Sequence, residues 1–285
     1  MPNMKIFFCF VFIKLCFCNF AYTQQNQHDK NKDEIIFLDY ANNIKSKINN
    51  DLFFNTALYF LETPYGYSTL EINEKEDLVV NLRELDCVTY VENTIALYRT
   101  IISDSINFEY FKKELKNIRY RSGTIEGYTS RLHYTTDWIF DNESKKYIFD
   151  KTKLIGGVEL PVKVYYISQN YEKYNYLKKH PEDVEKIKTI EEKINSRKYY
   201  YIPTEKIPTI EKSIHTGDIL YFTTKISGLD ISHAGIAVWQ EDVLTFIHAS
   251  TKYKKIIINP ESLYDYCINN KNTTGIMVLK LIESE

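Results

Sequence analysis

"ISHAGIAVWQEDVLTFIHAS", residues 231–250, places two runs rich in β-branched and aromatic residues on either side of the polar Gln240-Glu241-Asp242. Runs of that composition form strands, and so short a polar interruption reads as a hairpin turn, although it carries neither glycine nor asparagine. Centred between Gln240 and Glu241, the hairpin sets His233 opposite His248 on one face of the sheet, with Cβ atoms about 5 Å apart. Gly235 and Ala237 follow on the same face and leave room for another element to approach. "GDILYFTT" (217–224), "KKIIIN" (254–259) and "GIMVLKLI" (275–282) repeat the pattern, so the C-terminal third is expected to be consecutive antiparallel strands.

Upstream the period changes. From Ile35 to Leu61 apolar residues recur at helical spacing, with a break around Asn49-Asn50-Asp51, until Pro64 and Gly66 stop the run. Val88, Val91, Ile95, Tyr98 and Ile102 make a single apolar stripe behind Asp86 as N-cap, and Phe108–Arg119 reads as a further helix. Between Tyr120 and Pro208 the pattern is irregular, apart from a charged stretch from Pro181 to Lys198 that reads as a solvated surface helix. Helices first and strands afterwards predict an α+β fold.

"LDCVTYVENTIAL", residues 85–97, puts Cys87 in the first turn of the striped helix. The positive end of the helix dipole and its unpaired N–H groups favour thiolate over thiol, and the same N–H groups can donate to an oxyanion on a carbonyl under attack. A free cysteine bordering an apolar stripe is equally at home as a small core residue. What separates the two readings is a base. One of the imidazoles of His233 and His248 can take the thiol proton while the other fixes its tautomer and orientation.

The opening MPNMKIFFCFVFIKLCFCNFAYTQQNQ has Lys5 before an apolar run from Ile6 to Phe20, short for a bilayer span, and reads as an export signal over residues 1–23. Cys16 and Cys18 leave a lipid anchor as the alternative, the one route to a membrane. Removal of this segment leaves Cys87 and Cys267 of the five cysteines, so no disulfide framework is available. Cys267 shares a face with Leu263 and reads as core. With 36 basic and 38 acidic residues the chain has a net charge of −2, which argues against a nucleic-acid or anionic-membrane partner. An exported chain with so few cysteines is expected in a bacterial periplasm, as a monomer. Residues 24–50 read as an N-terminal extension that includes a helix, and 51–285 as a single domain.

"TPYGYSTLE" (63–71), "LDCVTYVE" (85–92), "GDILYF" (217–222), "SHAGIAV" (232–238) and "IHAS" (247–250), in this order, resemble the NlpC-like papain-fold cysteine hydrolases that cut bacterial cell-wall peptides. "RYRSGTIEGYTSRLHYTTDWI" (119–139), "GLDISHAG" (228–235) and "HASTKYKKI" (248–256) resemble one branch, the N-acetylmuramyl-L-alanine amidases. The resemblance runs from about residue 55 to 280. It implies a papain-like fold, with Cys87 as nucleophile, His233 as general base, His248 as orienting third member and Tyr65 near the substrate or oxyanion. It implies no metal or cofactor. Asp86-Cys87-Val88-Thr89 stands where the wider family has Asp-Cys-Ser-Gly, which disfavours the γ-D-glutamyl endopeptidases and favours the amidase branch. Asp86, Thr89 and Asp230, within these motifs, are candidate substrate or oxyanion contacts. The implied substrates are peptidoglycan fragments, in particular soluble muropeptides carrying the 1,6-anhydro sugar.

The span between Cys87 and His233 exceeds what a compact core of this kind needs, so part of residues 120–208 is expected to be an insertion shaping the cleft. Arg131 is its candidate for a substrate carboxylate and Trp138 for a sugar face, with His133 and Asp137 beside them. The plainer reading is that these four pack the insertion onto the core. Rival functions are a zinc hydrolase using His133, Asp137, His233 and His248, a wall-binding protein without chemistry, and an endopeptidase or transpeptidase of the same fold.

Overall fold

Asp86 starts the helix around which the molecule is built. A computed structural model describes residues 31–44 and 51–282, so the export and lipidation expectations lie outside the described residues. The Asp86 carboxylate accepts the Thr89 N–H at 2.7 Å and the Asp86 N–H donates to Thr89 Oγ1 at 2.9 Å, a closed capping box. The helices in chain order are α1 (residues 31–44), α2 (Leu52–Tyr59), α3 (Cys87–Ile101), α4 (Phe108–Arg119), α5 (Thr135–Ser144), α6 (Tyr166–Gln169), α7 (Asn175–Lys179), α8 (Val184–Asn195), α9 (Ile207–Ile210) and α10 (Leu263–Asn269). None of the described helices is long and apolar enough to cross a membrane.

The strands are β1 (Ile148–Asp150), β2 (Val158–Leu160), β3 (Tyr199–Pro203), β4 (Ile219–Thr224), β5 (Ile231–Gln240), β6 (Val243–Ser250), β7 (Lys255–Ile258) and β8 (Thr273–Leu281). They form one antiparallel sheet in the order β2-β3-β8-β4-β5-β6-β7, with β1 also pairing β8. The fold is α+β, as the order of periods predicts. Two expectations need correction. The last strand does not follow β7 at the edge but returns to the centre beside β4, and three strands come from the segment read as irregular. β1 and β2 are three residues each and expose part of their length, so they lack the dense apolar pattern that marks a central strand, and β3 comes directly after a charged helix and ends in a proline.

Both faces of the sheet are covered. Ile219 and Tyr221 of β4, with Ala234 and Ile236 of β5, pack against α1 to α5, whereas Leu220 and Phe222, with Ala237 and Phe246, pack against α9 and α10. α1 packs on this main core through Phe37, Tyr40, Ala41 and Ile44. α3 is buried on nearly every side, not along one stripe, which forces Glu92 inside. Arg119 of α4 meets it at 2.7 Å, both side chains almost fully buried. The insertion has its own small core of Tyr128, Tyr134, Val164, Ile167, Leu177, Val184, Ile187, Ile194 and Tyr199. α8 contributes its apolar face to that core and is therefore amphipathic, not solvated all round.

Candidate active site

The hairpin differs from the expected register by two residues. Ile236 pairs with Ile247 and Gln240 with Val243, so the turn is Glu241-Asp242 and His248 falls opposite Gly235. Glu241 supplies the positive φ the tight turn needs, at 53°, without being glycine or asparagine. A two-residue shift preserves the face, so His233 and His248 remain on one side, now as diagonal neighbours. Beyond Ile236 and Ile247 the two strands stop pairing with each other: β5 continues along β4, and β6 along β7.

Cys87 sits at that separation. The start of α3 brings the thiol to it, half-buried, where the backbone N–H groups of Ala234, Cys87 and Val88 favour the thiolate form. Cys87, His233 and His248 line one cavity of about 350 Å³, shared with Tyr65, Ser250, Tyr253, Asn259 and Tyr266 among others. His233 Nε2 and His248 Nδ1 are 2.7 Å apart, with the rings at 87° to one another. Nδ1 is then the His233 nitrogen left for the thiol proton. Tyr65 is held between the two sides of the site: its N–H donates to Lys254 O, and it bridges Leu85 just before Cys87.

The electrostatics correct one expectation. Burial pushes the Cys87 thiol up to about 12, Asp86 adds to the rise, and the three N–H groups only offset it. Burial lowers His233 to about 3, helped by His248, and lowers His248 to about 4. Phe222 and Phe246 are part of that burial, at 5.5 Å from His233 and 4.8 Å from His248 respectively. At neutral pH the resting site therefore holds a thiol beside a neutral imidazole, not a preformed thiolate–imidazolium pair. Such an arrangement can transfer the proton as the sulfur attacks.

The other candidate residues lie outside this cavity. Asp86 and Thr89 are engaged in the capping box. Asp230 is buried and accepts from Thr136 N at 2.7 Å and Thr136 Oγ1 at 2.8 Å, tying the start of α5 to β5. Arg131 is buried against Glu71 and Glu76, so its charge is already met by carboxylates of its own chain. Asp137 pairs with Arg121 and Arg197, each at 2.7 Å. Trp138 is buried with its ring edge-on to Tyr221, where no sugar could stack. His133 Nε2 is 2.8 Å from Tyr128 O. These residues pack the insertion onto the core, and the four residues of the zinc alternative do not converge. Among the described residues no three His, Cys, Asp or Glu side chains are grouped as metal ligands. Cys267 is buried beside Leu263, as its spacing predicts.

Sequence reasoning missed Asn259 and Tyr266. Tyr266 of α10 has its ring 6.1 Å from that of His233 and 5.9 Å from that of His248. Helical spacing singles out Leu263 and Cys267 there and gives no sign that the intervening tyrosine closes the site. Asn259, one residue beyond β7, reads from sequence as a strand end.

Comparison with known proteins agrees with this architecture. The chain is 35% identical to an N-acetylmuramoyl-L-alanine amidase from Bacteroides uniformis ATCC 8492, with a TM-score of 0.78 over 81% of this chain and 98% of that one. It is 36% identical to a Bacteroides fragilis protein provisionally named a xylanase, with a TM-score of 0.77 over 80% and 100%. Protein LPG0564 from Legionella pneumophila, at 21% identity and a TM-score of 0.61 over 91% and 96%, shares the fold. Comparison with curated proteins returns no match. Residues 55–276, which hold Cys87, both histidines and the whole insertion, match the family described as AmiA-like, N-acetylmuramoyl-L-alanine amidase-like, and the chain belongs to that family.

Proposed function

We propose that the protein is a cysteine amidase of NlpC-like, papain-type fold, exported to the periplasm, that cleaves the amide between the lactyl group of N-acetylmuramic acid and L-alanine. Its proposed substrates are soluble peptidoglycan fragments carrying the 1,6-anhydro sugar. The observation that carries the reading is the convergence of Cys87, His233 and His248 on one cavity, with the two imidazoles hydrogen-bonded. The name of the Bacteroides uniformis relative supports the choice of bond.

The chemistry follows from the positions of the protons. Cys87 sulfur attacks the lactyl carbonyl carbon and its proton passes to His233 Nδ1, while the oxyanion accepts from N–H groups at the start of α3 and from the Tyr65 hydroxyl. The C–N bond then breaks, and the peptide amine leaves with the proton from His233. Water, deprotonated by the same nitrogen, attacks the thioester, releasing the muramic acid carboxyl and restoring the thiol. A glycosidase reading gains nothing from the site. Its usual chemistry needs a pair of carboxylates, and Glu261 is the one carboxylate among the described lining residues.

Mass spectrometry of wild type and Cys87→Ala, each incubated with an anhydromuramyl tetrapeptide, tests the assignment. Wild type alone should release free tetrapeptide and the sugar acid. Release of a dipeptide would move the protein to the endopeptidases, and equal turnover by Cys87→Ala would remove the nucleophile.

A further inference from the structure

If His233 takes the thiol proton on Nδ1, that nitrogen is bare beforehand, and the ring carries its proton on Nε2, donating it to His248 Nδ1. His248 must then carry a proton on Nε2. That atom is buried and has no hydrogen-bond partner. A buried donor left unmet is costly, and a histidine whose outer nitrogen is unmet is free to change tautomer.

Asn259 stands where the acceptor is needed. Its backbone N–H donates to Phe246 O at 2.8 Å, which continues the β6–β7 pairing by one residue and sets Asn259 on the face of the sheet that carries His248. The side chain lines the same cavity, and the residue is 6% exposed. Asn259 Nδ2 donates to Glu261 O at 2.9 Å, which orients the amide and leaves Oδ1 as its acceptor. Thr245 Oγ1 donates to the backbone oxygens of both Asn259 and Glu261 at 2.8 Å, so the turn holding the amide is itself pinned.

We propose that Asn259 is a positioning residue that ends a relay running Cys87, His233, His248, Asn259, its Oδ1 holding His248 in the Nε2–H tautomer and so keeping His233 Nδ1 bare for the thiol. The amide already raises the proton affinity of His248 against the effect of burial. Hydrogen bonds of this kind are often long until substrate tightens them. The relay contains no carboxylate, so it orients the base without adding a negative charge to hold a proton on it.

The proposal rests on His233 being the base, and its test separates the two. The full chain as wild type, Asn259→Leu and Asn259→Asp is assayed for kcat and KM against pH with the anhydromuramyl tetrapeptide, and the imidazole nitrogens are observed by 15N NMR without substrate. Asn259→Leu should lower kcat about tenfold to a hundredfold with KM within about twofold, by analogy with the partners that orient metal-binding histidines. The same variant should lose the single Nε2–H tautomer of His248. Asn259→Asp, isosteric and usable even if the leucine variant does not fold, should move the acid limb of kcat upward by about one pH unit or more, since an adjacent carboxylate favours the protonated ring. Profiles of both variants superimposing on wild type, with the His248 tautomer unchanged, would overturn the role of Asn259. Turnover surviving in His233→Ala would instead overturn the base, and the NMR result would still judge Asn259 without any turnover.

Discussion

His248 lies diagonally across from His233, two residues off the opposed position, and the 2.7 Å bond between their rings spans the place where β5 and β6 part. A directly opposed pair would need the two strands to stay zipped there. The diagonal lets the imidazoles meet across a gap that also admits the end of α3 and its thiol. Parting the strands and joining the histidines are thus one feature of the sheet.

Gly235 sets the width of that gap. A Cβ on it would lie 2.8 Å from Ile247 O and from a Phe246 ring carbon, and 3.5 Å from His248 Cβ. Gly235→Ala must push β6 or the Phe246 ring away. We expect a loss of about 1–3 kcal/mol in stability, and a fall in kcat of at least about tenfold as the ring pair is displaced. Thermal unfolding and turnover of the variant check both. A fully active variant would show that the gap is set elsewhere.

Three histidines make the fold sensitive to acid. His133, His233 and His248 are lowered to about 3, 3 and 4 from 6.5, in each case chiefly by burial. The unfolded chain takes up protons below pH 6.5 that the folded chain refuses, so stability is full above that value and is lost as pH falls toward 3 to 4. The melting temperature should drop steadily between pH 6.5 and 4. Replacing His133 by Gln should make that slope shallower, and a slope equal to wild type would remove His133 from the account.

Asp86 has two effects that a single substitution can separate. As N-cap it accepts the Thr89 N–H, and as an anion it raises the Cys87 thiol. Asp86→Asn keeps an acceptor at the cap and removes the charge. Stability should change by less than about 1 kcal/mol, while iodoacetamide alkylation of Cys87 should set in at lower pH than in wild type. Alkylation profiles that coincide would mean that burial alone holds the thiol protonated.

Glu92 and Arg119 are worth testing as a pair. Arg119 also donates to Val79 O, so the guanidinium joins α4, α3 and the segment before Cys87. Arg119→Met should cost about 3–5 kcal/mol because it strands a buried carboxylate. The double variant Glu92→Leu with Arg119→Met should recover much of that loss. Urea unfolding of the two variants measures the difference, and equal stabilities would show that Glu92 escapes its penalty by taking up a proton.

The parts of this molecule legible in the sequence are those where one local pattern dominates. β4 to β8 were readable because Ile, Val, Phe and Tyr alternate densely between polar turns, and α4 because Phe111, Leu115 and Ile118 keep helical spacing. Cys87, His233 and His248 were legible as candidates through their motifs, and the face shared by the two histidines survived an error of two residues in register because side chains alternate with a period of two. The place of β8 was not readable, since nothing local distinguishes an edge strand from a central one when both are apolar. Arg131, Asp137 and Trp138 looked like ligands for a substrate because their partners, Glu71, Arg197 and Tyr221, come from distant parts of the chain. Asn259 was overlooked because its role depends on a diagonal across two strands, a relation without a sequence signature.

The final strand lies in the middle of the sheet, where β8 pairs with β1, β3 and β4. Its partners are made long before it, so the entropy of closing those loops is met only when residues 273–281 arrive. Until then β3 and β4 lack the strand that lies between them, and the β1–β3 edge has nothing to join it to β4 through β7. A chain cut short before residue 273 would keep the β4–β7 meander that carries both histidines but lose the join to the strands of the insertion.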